Sequence, residues 1–264
     1  MNHFNQTEDD IREFAKGLPL MNNMNNINST FYEMLPLCGF GPAIAFSRFL
    51  VLQQKIAFGK HSLINAYRKD HKSIWRDDLE ASLLERSLYF ENAIEAYNKV
   101  VDYVYGILYF KFELYEIIDK EKIKTKEDII RISKNIKGRK LDEIRDWIIL
   151  NESKSEFFKK FDDYRCETKE MRNLANDMKH RGCIAFEGIE LPRNTKVTKV
   201  IDGNKIDITD LVSALEINLD SEIEKLSEIH RHTIKLQMEL FTLCDFEKTL
   251  TDFLVCCKIN VPET

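Results

Sequence analysis

The residues best suited to chemistry lie in one short segment near position 175. Arg172, Asn176 and His180 are spaced by four residues, and residues four apart lie along one face of an α-helix. An arginine there binds phosphate through charge-assisted hydrogen bonds, and a histidine transfers a proton as a general acid or base. Asn176 would orient the phosphate or hydrogen-bond a ribose. The spacing therefore predicts a phosphodiester-cleaving site on one helix.

The same segment also fits a solvated helix end that has no chemistry. Lys179, His180 and Arg181 would occupy the last turn, directly before Gly182. Basic side chains there complement the helix dipole, and glycine suits the left-handed residue that closes many helices. If the apolar stripe of this segment is its buried face, Arg172 lies at the flank of that face and His180 lies nearly opposite. On sequence grounds, an active site and a solvated helix end are two open alternatives.

The rest of the composition predicts a helical scaffold. Of the 264 residues, 44% are hydrophobic, which is enough for a packed core, and there are only 9 Gly and 5 Pro. Few glycines and prolines favour long helices over a turn-rich sheet protein. We therefore expect an all-α helical bundle with long central and C-terminal helices.

Apolar residues recur at intervals of three and four along most of the chain, as in amphipathic helices. A wide aromatic stripe over residues 94–114 predicts a central helix that packs on two sides. The stripe over residues 226–257 is close to an a/d seam and predicts a long terminal helix. Further helices are expected over residues 7–17, 42–69 with a break at Gly59, from 141 after a break at Gly138, and 155–181.

One segment alternates between apolar and polar residues instead. Val200 and Ile201 precede Asp202-Gly203-Asn204, and Ile206 and Ile208 follow it, which predicts a β-hairpin inserted at about residues 183–210. The expected organisation is an N-terminal helical region with an Asn-rich linker over residues 1–75. A helical bundle over residues 76–264 would carry the hairpin insertion.

These features together resemble the HEPN superfamily, the higher eukaryotes and prokaryotes nucleotide-binding domains. The resemblance lies in the aromatic helix of residues 96–115 and in a late helix with Arg172-Asn173 followed by the run Lys179 to Gly182. It covers about residues 80–257. Catalytic members share an arginine, a polar residue directly after it, and a histidine further along, and Arg172, Asn173 and His180 match these. The resemblance implies metal-independent RNA cleavage by a helical bundle that dimerises.

On this resemblance, Arg172 and His180 are the expected catalytic residues, and Asn173, Asn176, Lys179 and Arg181 are the expected binding residues. Arg172 and His180 are eight positions apart, one more than the usual maximum of the family pattern. Eight residues of helix rise by roughly 12 Å, so a two-fold axis would have to bring the two side chains together. The apolar stripe of the terminal helix is a second reason to expect a homodimer.

Charge and hydropathy exclude several other classes of protein. The net charge of −5 gives no overall attraction to nucleic acid or to an anionic membrane. No apolar run of membrane-spanning length occurs, and the N-terminus is too acidic for a signal peptide. We expect a cytoplasmic protein with no membrane partner, whose six cysteines are reduced.

Motifs for phosphate loops, α/β-hydrolases and zinc proteases do not occur in the chain, so we expect no cofactor and no metal. His230 and His232 are the nearest approach to a metal-binding pair. Two residues apart on a helix, their rings would point in nearly opposite directions. We expect these histidines at the surface.

A basic segment suggests where an RNA partner would bind. Its cations are Lys122, Lys124, Lys126, Arg131, Lys134, Lys137, Arg139, Lys140 and Arg145. Glu127, Asp128, Asp142 and Glu143 are interleaved with them, so a solvated helix surface is the competing interpretation. Two functions stay open: a metal-independent endoribonuclease of a toxin or defence system, and a non-catalytic helical module that binds a protein or nucleotide partner.

Overall fold

The structure is a computed structural model that describes residues 6–21, 39–71, 79–181, 185–188, 198–201, 204–207 and 216–246. This part of the chain is mostly helical, as the sequence predicts. In chain order the described helices are α1 (Glu8–Lys16), α2 (Phe40–Tyr67), α3 (Leu79–Asn98), α4 (Val100–Lys111), α5 (Leu114–Ile117), α6 (Lys126–Lys134), α7 (Arg139–Glu152), α8 (Ser155–Glu167), α9 (Lys169–Arg181) and α10 (Leu219–Leu243).

Two short β-ladders interrupt the helical pattern. Strands β2 (Thr198–Ile201) and β3 (Asn204–Asp207) form the expected antiparallel hairpin, with Ile201 paired to Asn204 across the turn. Strands β1 (Ala185–Phe186) and β4 (Glu216–Ile217) pair in parallel. Because β4 lies beyond residue 210, the β structure extends further than the sequence-based limits of 183–210.

The helices belong to two compact units that are interleaved along the chain. Unit 1 comprises Met1–Pro19, Phe58–Asn98 and Thr168–His230, and unit 2 comprises Leu20–Ala57, Lys99–Glu167 and Arg231–Thr264. Each unit therefore draws on segments from both sides of the expected boundary at residue 75.

Unit 1 has its own core around the helix that carries the predicted site residues. Met171 and Leu174 of α9 are buried in one cluster with apolar side chains of α2, α3 and α10. Helix α9 packs along α3. Gly59 does not break α2, contrary to the sequence-based expectation. A Cβ at Gly59 would lie 2.8 Å from Cζ of Tyr97, so the glycine makes room for this ring inside a continuous helix.

Unit 2 has a core rich in aromatic rings. Phe46 and Phe49 each lie 5.1 Å from the ring of Phe246, and Tyr105 lies 5.3 Å from Phe161. The basic segment borders this core, because Ile123 and Ile132 are buried in the same cluster. Helix α6 begins with a capping box in which Thr125 and Asp128 satisfy each other's backbone N–H groups.

Three predicted helices are shorter in the structure. The aromatic stripe is divided between α3 and α4 at Lys99, and Glu113 with φ of 49° separates α4 from α5. The segment 155–181 is divided into α8 and α9 at Thr168. The terminal helix ends at Leu243, and Asp245 has φ of 48°. Residues 247–257 of the predicted helix lie outside the described residues.

The apolar stripe of α10 packs inside the chain. Leu226, Ile229, Leu236 and Leu240 are all buried, so these positions offer no exposed seam to a second copy. The described part of the stripe thus contributes to the cores of the two units and gives no support to a dimer. Within the described ranges, no helix combines the length and apolar character needed to cross a bilayer.

Candidate functional site

Helix α9 places the predicted site residues on one continuous element. Met171 and Leu174 bury one side of the helix, with exposed fractions of 6% and 8%. Arg172 is half-buried, and its N–H donates to the carbonyl oxygen of Thr168 at 3.0 Å. The short turn at Thr168 thus starts a new helix whose free side carries polar residues.

The predicted site residues are spread along the length of α9. Asn173, Asn176 and Lys179 are exposed on α9. His180 and Arg181 belong to the last turn of the same helix, and the placement of their side chains lies outside the described structure. Along a regular helix, Asn176 lies roughly 6 Å from Arg172 and His180 roughly 12 Å. Helix α9 alone therefore aligns these residues without closing them into one cluster.

A buried arginine on α3 is the feature of unit 1 that sequence reasoning missed. Arg86 is 4% exposed, and its Nε donates to the carbonyl oxygen of Ala66 at 2.7 Å. Its guanidinium also pairs with the carboxylate of Asp220, which accepts a further bond of 2.7 Å from Lys69 Nζ. The signal was present in the sequence. Arg86 lies four residues before Phe90 on the buried stripe of α3, where a cation needs a partner.

The environment of Asp220 shifts the pKa of its carboxyl group. Burial raises this pKa, but the hydrogen bonds from Lys69 and Arg86 outweigh burial and lower it below the ordinary value of 3.8. The carboxylate is therefore held ionised between two cations. This network joins the end of α2, α3 and the start of α10 in unit 1.

His230 is a core residue of unit 1, which corrects the expectation that it lies at the surface. It is 0% exposed. Its Nε2 lies 2.6 Å from the carbonyl oxygen of Pro19, and its Nδ1 lies 2.8 Å from the hydroxyl of Tyr97. A carbonyl only accepts, so Nε2 carries the proton and Nδ1 accepts from Tyr97. Nε2 therefore joins the N-terminal segment to α10, and Nδ1 joins α3 to α10.

His232 lies in a groove of unit 2 between α8 and α10. The groove has a volume of about 340 Å³ and is lined by Lys160, Asp163, Tyr164, Glu167, His232, Lys235, Leu236 and Glu239. Nδ1 of His232 lies 2.6 Å from Oε2 of Glu167. Lys160 joins the two helices through a bond of 2.9 Å to Glu239, which is the main cause of its raised pKa. A carboxylate paired with Nδ1 in this way orients the imidazole and leaves its Nε2 as the nitrogen available for other contacts.

The two described thiols differ in their exposure to solvent. Cys244 is completely buried, and burial raises the pKa of its thiol to about 12. Cys166 is exposed, and both thiols are free. Among the described side chains, no group of three or more His, Cys, Asp or Glu is arranged to hold a metal ion.

Comparison with known proteins finds no matching family model, no matching curated protein and no matching solved structure. The HEPN resemblance therefore stays a prediction based on the residues of α9.

Proposed function

We propose that this chain is a HEPN-like, metal-independent endoribonuclease of a toxin or defence system. The observation that carries the proposal is the continuity of α9. A single helix from Lys169 to Arg181 contains Arg172, Asn176 and His180 at intervals of four residues, and residues four apart are neighbours on a helix. Asn173 and Lys179 are exposed on the same helix, so a polymer substrate has access to it.

Each residue has a defined role in this proposal. Arg172 binds the scissile phosphate, and the charge on that group increases as the phosphodiester reacts. Asn176 orients the phosphate or bonds the ribose. His180 takes the proton from the attacking 2′-hydroxyl or returns one to the leaving oxygen. Asn173, Lys179 and Arg181 hold the neighbouring backbone. Because the nucleophile belongs to RNA itself, this chemistry needs no metal.

The spacing on α9 makes a homodimer part of the proposal. Side chains whose backbones are roughly 12 Å apart do not converge on one phosphate, whereas a two-fold axis pairs Arg172 of one copy with His180 of the other. The contact we propose lies on α3, which packs along α9. Leu84 and Leu88 of α3 are 55% and 53% exposed and lie four residues apart. Two such leucines form a self-complementary apolar patch.

The decisive experiment is RNA cleavage in excess chelator by the wild type and by His180→Ala. Loss of a general acid–base group should lower the rate by roughly 10²–10⁴-fold. His61→Ala is the matched control, because His61 is an exposed histidine of the same unit. The DNA of the same sequence should stay intact, since it lacks the 2′-hydroxyl. Equal rates for wild type and His180→Ala would reject the proposal.

The dimer has its own test. Leu84→Lys combined with Leu88→Lys should produce a monomer in sedimentation experiments and should abolish cleavage at the same time. Both substitutions are on exposed positions, so the helical content should not change. A monomeric variant with full activity would show that one copy contains the whole site.

A second candidate function is non-catalytic binding of a nucleotide in the groove of unit 2. It is favoured by the His232–Glu167 contact at the wall of a cavity of about 340 Å³, which is within the usual size of small-ligand sites. Lys235 is exposed there and would meet a phosphate. Millimolar AMP or ATP should raise the melting temperature of the wild type and leave that of His232→Ala unchanged. No shift for the wild type would remove this candidate.

A further inference from the structure

The basic segment forms a surface of unit 2 that the proposed active site does not use. We call residues 122–139 the basic arm: a loop, helix α6 and the turn that leads to α7. Its exposed cations are Lys122, Lys124, Lys126, Lys134, Lys137 and Arg139. Three of them precede or begin α6, and three end or follow it. The arm therefore presents one basic cluster at each end of a short helix.

Two acidic residues near the arm, Asp128 and Glu121, are engaged by partners other than its six exposed cations, which the sequence did not show. Asp128 accepts hydrogen bonds from the backbone N–H groups of Lys124 and Thr125 at 3.1 and 3.0 Å, and so caps α6. Arg131 pairs with Asp128 at 3.3 Å and with Glu121 at 2.5 Å. These carboxylates therefore pair with Arg131 and cap the start of α6. Neither forms an ion pair with a lysine of the two basic clusters.

A second cation of the segment is neutralised in the same way. Lys140 pairs with Asp119 and also with Glu143, at 3.3 Å for the latter. Asp119 in addition accepts a bond from the Tyr109 hydroxyl. In the part of the chain that the structure describes, none of the six arm cations has an ion pair. Glu127, Asp142 and Glu143 are exposed acids close to them in sequence, and Glu143 pairs with Lys140. The arm is thus a local positive patch on a chain of negative net charge.

The core holds the arm in place. Ile123 and Ile132 are 8% and 1% exposed and are buried in unit 2, one before α6 and one within it. Gly138 makes the turn into α7 with φ of +58°, and no atom lies within 4 Å of the position a Cβ would take. The cluster of Lys134, Lys137 and Arg139 is therefore carried by an ordered helix end and an open turn, which reduces the entropy lost when a ligand binds.

We infer that the basic arm binds the sugar-phosphate backbone of single-stranded nucleic acid. Lys126 and Lys134 are eight residues apart on α6, so their backbones lie roughly 12 Å apart. Positive charges at both ends of α6 can each contact a phosphate of the same strand, and the release of counterions from the nucleic acid favours these contacts. That the ligand is RNA depends on the proposed ribonuclease function, whereas the charge chemistry of the arm does not.

Other partners fit this surface less well. The large apolar side chain that α6 exposes is Ile130, at 48%, whereas a helix that lies on a membrane needs a broad apolar side. Protein interfaces depend on buried aromatic or arginine anchors, and Arg131 is already paired within its own chain. A polyanion without apolar groups is the partner that the arm matches.

Binding can be measured separately from cleavage. The probe is a fluorescein-labelled single-stranded RNA of mixed sequence and about 20 nucleotides, titrated in chelator and followed by fluorescence anisotropy. All proteins carry His180→Ala, so that the RNA stays intact. The test variant adds Lys134→Ala, Lys137→Ala and Arg139→Ala. We expect its affinity to fall at least about tenfold and the slope of log K against log salt to decrease by about 2.

The control removes the same charge elsewhere, with Arg12→Ala, Lys16→Ala and Lys159→Ala at exposed positions outside the arm. Its affinity should change less than about twofold.

Lys122→Ala, Lys124→Ala and Lys126→Ala together should reproduce the effect of the first triple variant. Equal weakening by arm and control variants, or tighter binding to vesicles of phosphatidylcholine with phosphatidylserine than to RNA, would overturn the inference. Single-stranded DNA should bind about as well, because backbone contacts ignore the 2′-hydroxyl.

The two proposals fail in different ways. RNA binding that depends on the arm, together with no cleavage by the wild type, would reject the ribonuclease and retain the arm. Cleavage with unchanged affinity in the arm variant would reject the arm and retain the ribonuclease.

Discussion

Arg86 in unit 1 and the basic arm in unit 2 show two different uses of positive charge. Arg86 is buried, bonds a backbone carbonyl and shares Asp220 with Lys69. The arm cations are exposed and have no ion pair among the described residues. The first network holds helices of unit 1 together, and the second leaves its charge available to a ligand.

The difference shows that the number of cations in a segment does not predict its function. The neighbouring acids form ion pairs with some of the cations, and only the others are available to a ligand. Asp128 in the arm and Glu121 directly before it lie close in sequence to several lysines, yet both pair with Arg131. The cations of α9 are intermediate in burial between Arg86 and the arm, because Arg172 is half-buried and Lys179 is exposed. Mutations that affect rate, stability or affinity separately can test this distinction.

The largest effect is expected on α9. Arg172→Ala should lower kcat for RNA cleavage by about 10²-fold, because the lost contact is to the phosphate at which charge develops. The triple arm variant should keep its kcat and raise KM, since the arm is proposed to bind the RNA backbone and contains none of the proposed catalytic residues. Steady-state kinetics on one RNA in chelator separates the two. Equal losses of kcat in both variants would mean that the arm cations take part in the chemical step.

The next effect is on stability. Arg86→Ala should lower the free energy of unfolding by about 1–3 kcal/mol, because it leaves the Ala66 carbonyl without its donor and removes one cation from Asp220. Urea denaturation followed by circular dichroism measures the change. The triple arm variant is the comparison, with an expected change of less than about 0.5 kcal/mol for exposed residues. A destabilised arm variant would show that its cations have structural partners.

Sequence reasoning succeeded where a feature depends on neighbours along the chain. The start of α1 at Thr7, the break at Gly138 and the hairpin turn at Ile201–Asn204 all follow local rules. Partners distant in sequence were not predicted. Nothing near His230 indicates that Pro19 and Tyr97 bond its two nitrogens, and nothing near Glu167 indicates His232.

The candidate site shows the same limit. That Arg172, Asn176 and His180 share one helix was predictable from their spacing, and α9 contains all three. That the helix starts only at Lys169 was not predicted. The apolar stripe of residues 155–181 continues at helical intervals through the turn at Thr168, so the pattern gives no sign of a break there. Thr168 is 0% exposed, and burial at such a turn depends on the tertiary core rather than on the local pattern.

A smaller effect is expected from the cap that orders the arm. Thr125→Ala removes the side chain that accepts from the N–H of Asp128 at 3.3 Å, and N-cap losses cost about 1 kcal/mol. Amide hydrogen exchange should accelerate over α6 and little elsewhere. Affinity for RNA should fall less than in the triple arm variant, since every cation is retained. Thr125→Ser, which keeps the hydroxyl, should behave like the wild type. Unchanged exchange in Thr125→Ala would mean that the core alone orders α6.

The smallest effect is the pH dependence of the Arg86 network. Because Lys69 and Arg86 outweigh burial and lower the pKa of Asp220 below 3.8 in the folded protein, ionised Asp220 stabilises the fold above the pKa of the unfolded chain. This contribution is lost as pH falls from that value through the folded pKa. Asp220 is about half exposed, so solvent limits the effect to about 0.2–1 kcal/mol.

The measurement is the difference in free energy of unfolding between wild type and Asp220→Asn at pH 6 and pH 3. Other acids titrate in both proteins, so the difference isolates Asp220, and it should shrink at pH 3. If the difference were the same at pH 6 and pH 3, the charge of Asp220 would not be what stabilises the end of α2. Its hydrogen bonds, which asparagine retains in part, would then supply the stabilisation.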